Sequence, residues 1–94
     1  MMRVVDSIRE KLTAAFHPTA LDIVDESHRH AGHAGAREGG ETHFRVEIVA
    51  EAFAGLSRID RHRRVHEVLA AELAGRVHAL AITAWAPAEA RRPS

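Results

Sequence analysis

The segment that most constrains the fold is an alternating stretch in the middle of the chain, residues 42–49, which reads THFRVEIV. Successive side chains on a strand point to opposite faces, so this alternation indicates a strand with one buried face. Phe44, Val46 and Ile48 are predicted to face the core, and the polar residues between them to face away. Any fold of this chain must therefore place other elements over one side of a sheet.

Helical periodicity precedes and follows this strand. Apolar residues near the N-terminus recur every three or four positions, which predicts a helix over residues 3–16 that ends before Pro18. A short, partly alternating stretch at 21–25 predicts the first strand. Later in the chain, Ser57 is predicted as a helix N-cap and Gly75 as the C-terminal cap of the same helix. The stripe predicted to face inward on this second helix consists of Ile59, His62, His66, Leu69 and Leu73.

A third strand over residues 77–85 completes the order helix, strand, strand, helix, strand. The first two strands can pair antiparallel, whereas the second and third are joined by a helix and are expected to pair in parallel through a right-handed crossover. We therefore predict an α+β fold, a two-layer α-β-β-α-β domain whose three-stranded mixed sheet carries both helices on one face. Residues 1–94 are expected to form one domain, with a flexible loop over 28–40 and, over 88–94, a polar tail or a short frayed helix.

Composition limits the chemistry that the chain can perform. It contains no cysteine, so by itself it forms neither a disulfide nor a thiolate metal site. Thirteen basic and thirteen acidic residues give a formal net charge of zero, so no overall field attracts nucleic acid or an anionic membrane. Neither a spanning apolar run nor a signal peptide is recognisable, and the expected location is the cytoplasm. No set of nucleophile, base and orienting group is apparent, and we expect no enzymatic activity.

Histidines are concentrated where the predicted topology brings two strand ends together. Three of the eight, His28, His30 and His33, lie in the glycine-rich loop. If the second and third strands are parallel, their first residues, His43 and His78, share the edge of the sheet at which this loop enters. Neighbouring strands are only ~4.8 Å apart, so these imidazoles can converge there. The residues alone leave a plainer interpretation open, in which His43 faces solvent and His78 is a hydrogen-bonded, partly buried histidine.

Taken together, these segments resemble the BolA family over nearly the whole chain. The stretches DESHRHAGH, ETHFRVEIV, FAGLSRIDRHRRVHEVLAAEL and VHALAI occur in the family's order and spacing. The resemblance implies the α-β-β-α-β fold of that family, which is similar to a class II KH domain. It also implies a protein that acts through partners and does not catalyse a reaction.

The partner implied by the resemblance is a monothiol glutaredoxin, bound as a heterodimer. The two proteins of such a pair share a bridging [2Fe–2S] cluster for iron–sulfur cluster transfer and iron homeostasis, and the glutaredoxin side supplies a cysteine and a glutathione thiol. Carried over by motif, the histidine of VHALAI is His78, and the loop ligand is His30 of SHRH, with His33 as the alternative. The isolated chain, a monomer or weak dimer, is expected to hold no cofactor. The absence of cysteine agrees with this division of ligands, because the partner would bring the sulfur atoms.

Two other functions remain open. The family is also described as transcription regulators, and Arg58, Arg61 and Arg64 are spaced by three residues near a helix start, where phosphates bind favourably. The second is a zinc site built from the loop histidines and His43, although structural zinc usually includes cysteine. The stretch GHAG at 32–35 matches the Gly-x-x-Gly loop of KH domains, but it lies between strands and lacks basic residues, so we discount it.

Overall fold

The computed structural model describes residues 3–26 and 42–90, and it contains the predicted elements in the predicted order. The helices and strands of the described residues are α1 Val4–Phe16, β1 Ala20–Asp25, β2 His43–Val49, α2 Arg58–Val68, α3 Ala70–Ala74, β3 Ala79–Trp85 and α4 Pro87–Ala90. A 3₁₀ turn at Glu51–Phe53 follows β2. The loop predicted over 28–40 lies outside the described residues.

The three strands form one mixed sheet in the order β1-β2-β3. β1 and β2 are antiparallel, with Ile23 opposite Val46, and β2 and β3 are parallel, with Val46 opposite Ile82. Both pairings confirm the topology predicted from the order of elements. The parallel pair requires a long connection, and α2 and α3 provide it.

The core lies between the sheet and the helices. On β2 the three apolar residues of the alternating segment are buried as predicted, and the polar residues that lie between them are exposed. From α1, Ile8 and Leu12 are buried at helical spacing against this face. The ring of Phe16, at the end of α1, packs on Phe53 of the 3₁₀ turn with centroids 4.9 Å apart. Full burial of side chains of this size contributes about 1.5–3 kcal/mol each, so these contacts fix α1 on the sheet.

α2 begins as predicted but buries a different stripe. The hydroxyl of Ser57 accepts a hydrogen bond from the backbone N–H of Asp60 at 3.1 Å, which confirms the N-cap. The buried residues of α2 are Arg61 and Val65, and Ile59, which was predicted to face inward, is 68% exposed. The stripe prediction was wrong because it left out a charged residue. Arg61 lies four residues before Val65, on the same face of the helix, and it can be buried because its donors are bonded.

The remainder of the predicted stripe divides between exposed and buried positions. His66 is exposed, and His62 is only half-buried. Leu69 is buried as predicted, but its backbone leaves the helical region at φ −101° and ψ 20°, so the predicted single helix is divided into α2 and α3. Leu73 lies on the second piece and is partly buried against the core, and Gly75 follows as its C-cap.

The last strand begins later than predicted. β3 starts at Ala79, so His78 precedes the strand and does not take the core-facing direction of Ile82. The interpretation of His78 as partly buried is therefore wrong, and its side chain is exposed. Residues 88–90 belong to α4, which agrees with the short-helix alternative for the last residues, and residues 91–94 lie outside the described residues. None of the described helices is long and apolar enough to cross a membrane.

Candidate functional site

The parallel pairing of β2 and β3 brings the starts of both strands to one edge of the sheet. The backbone N–H of His78 donates to the carbonyl oxygen of Thr42 at 2.7 Å, and that of Ala79 donates to the same oxygen at 3.2 Å. In the register, Ala79 lies opposite His43. We call this region, formed by Thr42, His43, His78 and Ala79, the histidine edge. Backbone hydrogen bonding fixes the position of His78 there while its side chain remains exposed.

The second imidazole of the histidine edge is oriented by a buried hydroxyl. The rings of His43 and His78 have centroids 6.3 Å apart and planes inclined by 38°. Nδ1 of His43 is 2.9 Å from Oγ1 of Thr42, a residue that is 1% exposed. Metal-binding histidines are commonly held through their second ring nitrogen in this way. Thr42 was not among the predicted site residues, although its position two residues before Phe44 puts it on the core-facing side of the alternation.

The residues that flank the segment 27–41 lie at the histidine edge. On one side, the backbone N–H of Glu26 donates to the carbonyl oxygen of His43 at 2.7 Å, and the Glu26 carboxylate forms an ion pair with Arg45. On the other side, Thr42 follows the segment directly and is bonded to the start of β3. The three histidines of the segment, His28, His30 and His33, lie outside the described residues. The roles predicted for them therefore stay predictions.

The described part of the chain does not form a complete metal site by itself. Within residues 3–26 and 42–90, no three histidine, aspartate or glutamate side chains come together in a way that could hold a metal ion. The histidine edge offers two imidazoles, from His43 and His78, and no thiolate. A metal group bound here would need further ligands from the segment 27–41 or from another molecule. The four-histidine zinc hypothesis has three of its residues in that segment and stays untested.

The arginines predicted to contact DNA do not share one surface. Arg58 and Arg64 are exposed on α2, but Arg61 is only 9% exposed. The Arg61 guanidinium donates to two backbone carbonyls at 3.0 Å and pairs with Glu89 at 2.7 Å, so it joins α2 to β3 and α4. Residues three apart on a helix differ by about 60° in direction, so Arg58 and Arg64 lie to either side of the inward-facing Arg61. A phosphate contact by Arg61 would require these bonds to break. Arg63, which the prediction omitted, is exposed.

A histidine on the same helix has a perturbed acidity. Burial lowers the pKa of His62 below its usual value of 6.5, and the positive charges of Arg58 and His66 lower it further. At neutral pH the His62 ring is therefore uncharged for most of the time. The positive charge of the exposed side of α2 comes from its arginines.

Comparison with known proteins identifies the family of the chain. A family model described as BolA-like protein matches residues 12–89. BolA-like protein 1 of Mus musculus is 52% identical over 85 residues, which cover 90% of this chain and 59% of the mouse protein. The DNA-binding transcriptional regulator BolA of Escherichia coli K12 is 44% identical over 81 residues, which cover 86% of this chain and 73% of that protein. The chain thus spans about three-fifths of the mouse relative.

A solved structure supports the same assignment. BolA1 from Arabidopsis thaliana superposes with a TM-score of 0.86 at 41% sequence identity, and the match covers 99% of each chain. The fold and the sequence therefore agree with the resemblance seen in the motifs. This chain belongs to the BolA-like family.

Proposed function

We propose that the chain acts without catalysis as the partner of a monothiol glutaredoxin and co-ligates a bridging [2Fe–2S] cluster for transfer. The observation that carries the proposal is the exposed side chain of His78, whose backbone is fixed beside the residues that flank the segment 27–41. His78 would be one ligand, and His30 or His33 the other. Glutathione and a cysteine of the partner would complete the set, as the family resemblance implies.

The donors of this chain fit half of such a cluster. The chain has no cysteine, so it can offer only nitrogen or oxygen ligands, and imidazole is the nitrogen ligand known for [2Fe–2S] iron. His78 is available because it is not part of the core. The cluster, when bound, would supply an iron–sulfur unit that can be handed on or can change its redox state. The residues of this chain would bind one side of it and orient the two proteins.

Chain length permits either loop histidine to reach His78. β1 and β3 flank β2, so Glu26 at the end of β1 is about two strand spacings, or ~10 Å, from the start of β3. His30 is four residues beyond Glu26, a span of at most ~14 Å, and His33 is seven residues beyond it, at most ~25 Å. The covalent connection therefore does not discriminate between them, and the choice requires an experiment.

The test is a titration of the protein into cluster-loaded monothiol glutaredoxin with glutathione, followed by visible circular dichroism. We expect the wild type to change the cluster spectrum and His78→Ala to remove that change. Of His30→Ala and His33→Ala, one is expected to behave like His78→Ala and the other like the wild type. His66→Ala is the matched control, because this exposed histidine lies on α2 and not at the histidine edge. An unchanged spectrum with folded wild-type protein would contradict the proposal.

A second function, DNA binding, is supported by a separate observation. Arg58, Arg63 and Arg64 are exposed on the N-terminal half of α2, and the E. coli relative is named as a DNA-binding regulator. Fluorescence anisotropy with a labelled duplex tests it, because affinity must fall with salt at a slope of about −0.9 per phosphate contact. The double variant Arg58→Gln, Arg64→Gln should bind more weakly than Arg9→Gln on α1. The absence of binding at about 50 mM salt would exclude this function.

A further inference from the structure

The outward side of α2 carries an exposed apolar residue among cationic side chains. Ile59 is 68% exposed, more than Val24 at 37% and Trp85 at 43%. A single exposed apolar residue is common and carries no meaning alone. Around Ile59, however, a shallow groove is lined by charged and titratable side chains of the same helix. Its lining residues are Arg58, Ile59, His62, Arg63, His66 and Glu67.

Most of the side chains that surround Ile59 on α2 are basic. Residues three or four positions apart are neighbours on a helix surface, which places His62 and Arg63 directly beside Ile59, and His66 one turn further. We call Arg58, Ile59, His62, Arg63 and His66 the Ile59 stripe. The two acids of the helix, Asp60 and Glu67, lie next to Arg63 at one border of the stripe, where Glu67 also lines the groove and Asp60 approaches Arg63 at 3.8 Å. Such an exposed ion pair contributes little, so Arg63 can exchange it for another carboxylate.

The geometry points to a docking surface for an acidic segment of another protein, which would place an apolar side chain on Ile59 and its carboxylates on Arg58 and Arg63. Arginine forms directional, paired hydrogen bonds with carboxylates and is frequent at protein interfaces. The apolar residue at the centre favours a protein segment over DNA, because a phosphate backbone gains nothing from burying Ile59. The zero net charge of the chain also provides no overall attraction for DNA.

The first turn of α2, which carries Arg58 and Ile59, and the histidine edge lie near opposite ends of β3. Arg61 attaches the first turns of α2 to the carbonyl of Ala84, near the end of β3, whereas His78 precedes the first residue of that strand. A strand of this length spans about 20 Å. An occupant of the Ile59 stripe therefore leaves the histidine edge accessible. This docking surface is independent of the glutaredoxin proposal, and a protein with both sites occupied joins two partners.

The test selects short random peptides displayed on phage against the folded wild-type chain, with Ile59→Asp used for counter-selection. We expect enriched peptides to share acidic residues next to an aliphatic or aromatic residue. Their affinity, measured with synthetic copies, should fall by about tenfold or more in Ile59→Asp and in Arg63→Glu. Val24→Asp and Arg9→Glu are the matched controls, because they make the same changes at exposed positions of β1 and α1. NMR shift mapping should move α2 resonances and leave His78 unchanged.

Three results would overturn the inference. One is that the selected peptides share no acidic and apolar residues, or that they bind Ile59→Asp with the same affinity as the wild type. Another is concentration-dependent dimerisation that Ile59→Asp abolishes, since the occupant would then be a second copy of the chain. The third is duplex DNA that competes for the stripe and binds more tightly than any selected peptide. The circular dichroism test of His78 is independent of all three.

Discussion

Arg61 and Glu89 form an ion pair that joins the second helix to the last turn of the described chain, with Nη1 of the arginine 2.7 Å from Oε1 of the glutamate. The same guanidinium donates to the carbonyl oxygens of Leu56 and Ala84, and the glutamate accepts from the backbone N–H of Ala86 at 2.7 Å. The pair therefore fixes α2, the end of β3 and α4 relative to one another. It also withdraws the most central arginine of SRIDRHRR from the surface.

Replacement of Arg61 by methionine keeps much of the side-chain volume but removes every donor. Two partly buried carbonyls and Glu89 then lose their hydrogen bonds to the guanidinium, and we expect the free energy of unfolding to fall by about 3 kcal/mol. Urea denaturation followed by circular dichroism measures the change. Glu89→Gln is the comparison variant and should cost about 1 kcal/mol, because the Glu89 side chain is 36% exposed. Equal stability of Arg61→Met and wild type would show that the pair is unimportant.

Most of the fold follows from short-range patterns in the sequence. The alternation around Val46 identifies β2 and its buried face, because one register buries Phe44, Val46 and Ile48 together. Ser57 and Gly75 mark the limits of the second helical region, since capping depends on residues only a few positions away. The long helical connection then makes the β2–β3 pair parallel and brings His43 and His78 to one edge.

The parts that were predicted incorrectly depend on contacts between distant residues. The burial of Arg61 rests on Glu89, 28 positions further along the chain, and no local pattern announces this partner. Without that partner a buried arginine is not expected, so the stripe of α2 was assigned to Ile59 instead. Similarly, the exposure of His78 depends on where β3 starts, and the hydrogen bonds to Thr42 decide that point. The ligand roles of His30 and His33 rest on the family resemblance.

Glu72 should make the stability of the domain depend on pH. Burial by itself would raise its pKa, but hydrogen bonds from Lys11 and Ser7 outweigh this effect and hold the pKa below the usual 4.5. A carboxylate with a lowered pKa stabilises the folded state above its unfolded pKa, and this contribution is lost as the pH falls through the folded value. Glu72→Gln should therefore cost about 1–2 kcal/mol at pH 7 and progressively less below about pH 4.5.

Urea unfolding of the wild type and Glu72→Gln between pH 7 and pH 3 would measure this difference. Ser7→Ala and Lys11→Met are the companion variants, because each removes one of the bonds that lower the Glu72 pKa. In both variants the Glu72 pKa in the folded state should move towards its unfolded value. Each variant should therefore lose stability over a narrower pH range than the wild type does. If the difference between wild type and Glu72→Gln were constant with pH, the ionised carboxylate would not be the stabilising form.

The acidity of His62 tests the electrostatics of α2 directly. Burial, and then the charges of Arg58 and His66, lower its pKa below 6.5. We expect NMR titration of the ring proton to place the His62 midpoint below 6.5 and Arg58→Gln to move it upward, because one repelling charge is removed. The lowered pKa means that protonation favours the unfolded state, so this residue destabilises the fold as the pH drops below 6.5. If the midpoint did not respond to Arg58→Gln, burial and not the charge of Arg58 would account for the lowered pKa of His62.

A substitution at Thr42 changes the surroundings of His43 but not those of His78, so it tests the two imidazoles of the histidine edge separately. Thr42→Val preserves the shape of the buried side chain and removes the hydroxyl that lies 2.9 Å from Nδ1 of His43. The backbone carbonyl that accepts from His78 is unaffected, so we expect a stability loss of about 1 kcal/mol and a changed ¹⁵N shift of the His43 ring. With glutaredoxin, the cluster spectrum should persist, because His78 keeps its backbone anchor. Thr83→Val on β3 is the control. If Thr42→Val were folded but did not give the cluster spectrum, His43 itself would belong to the ligand set.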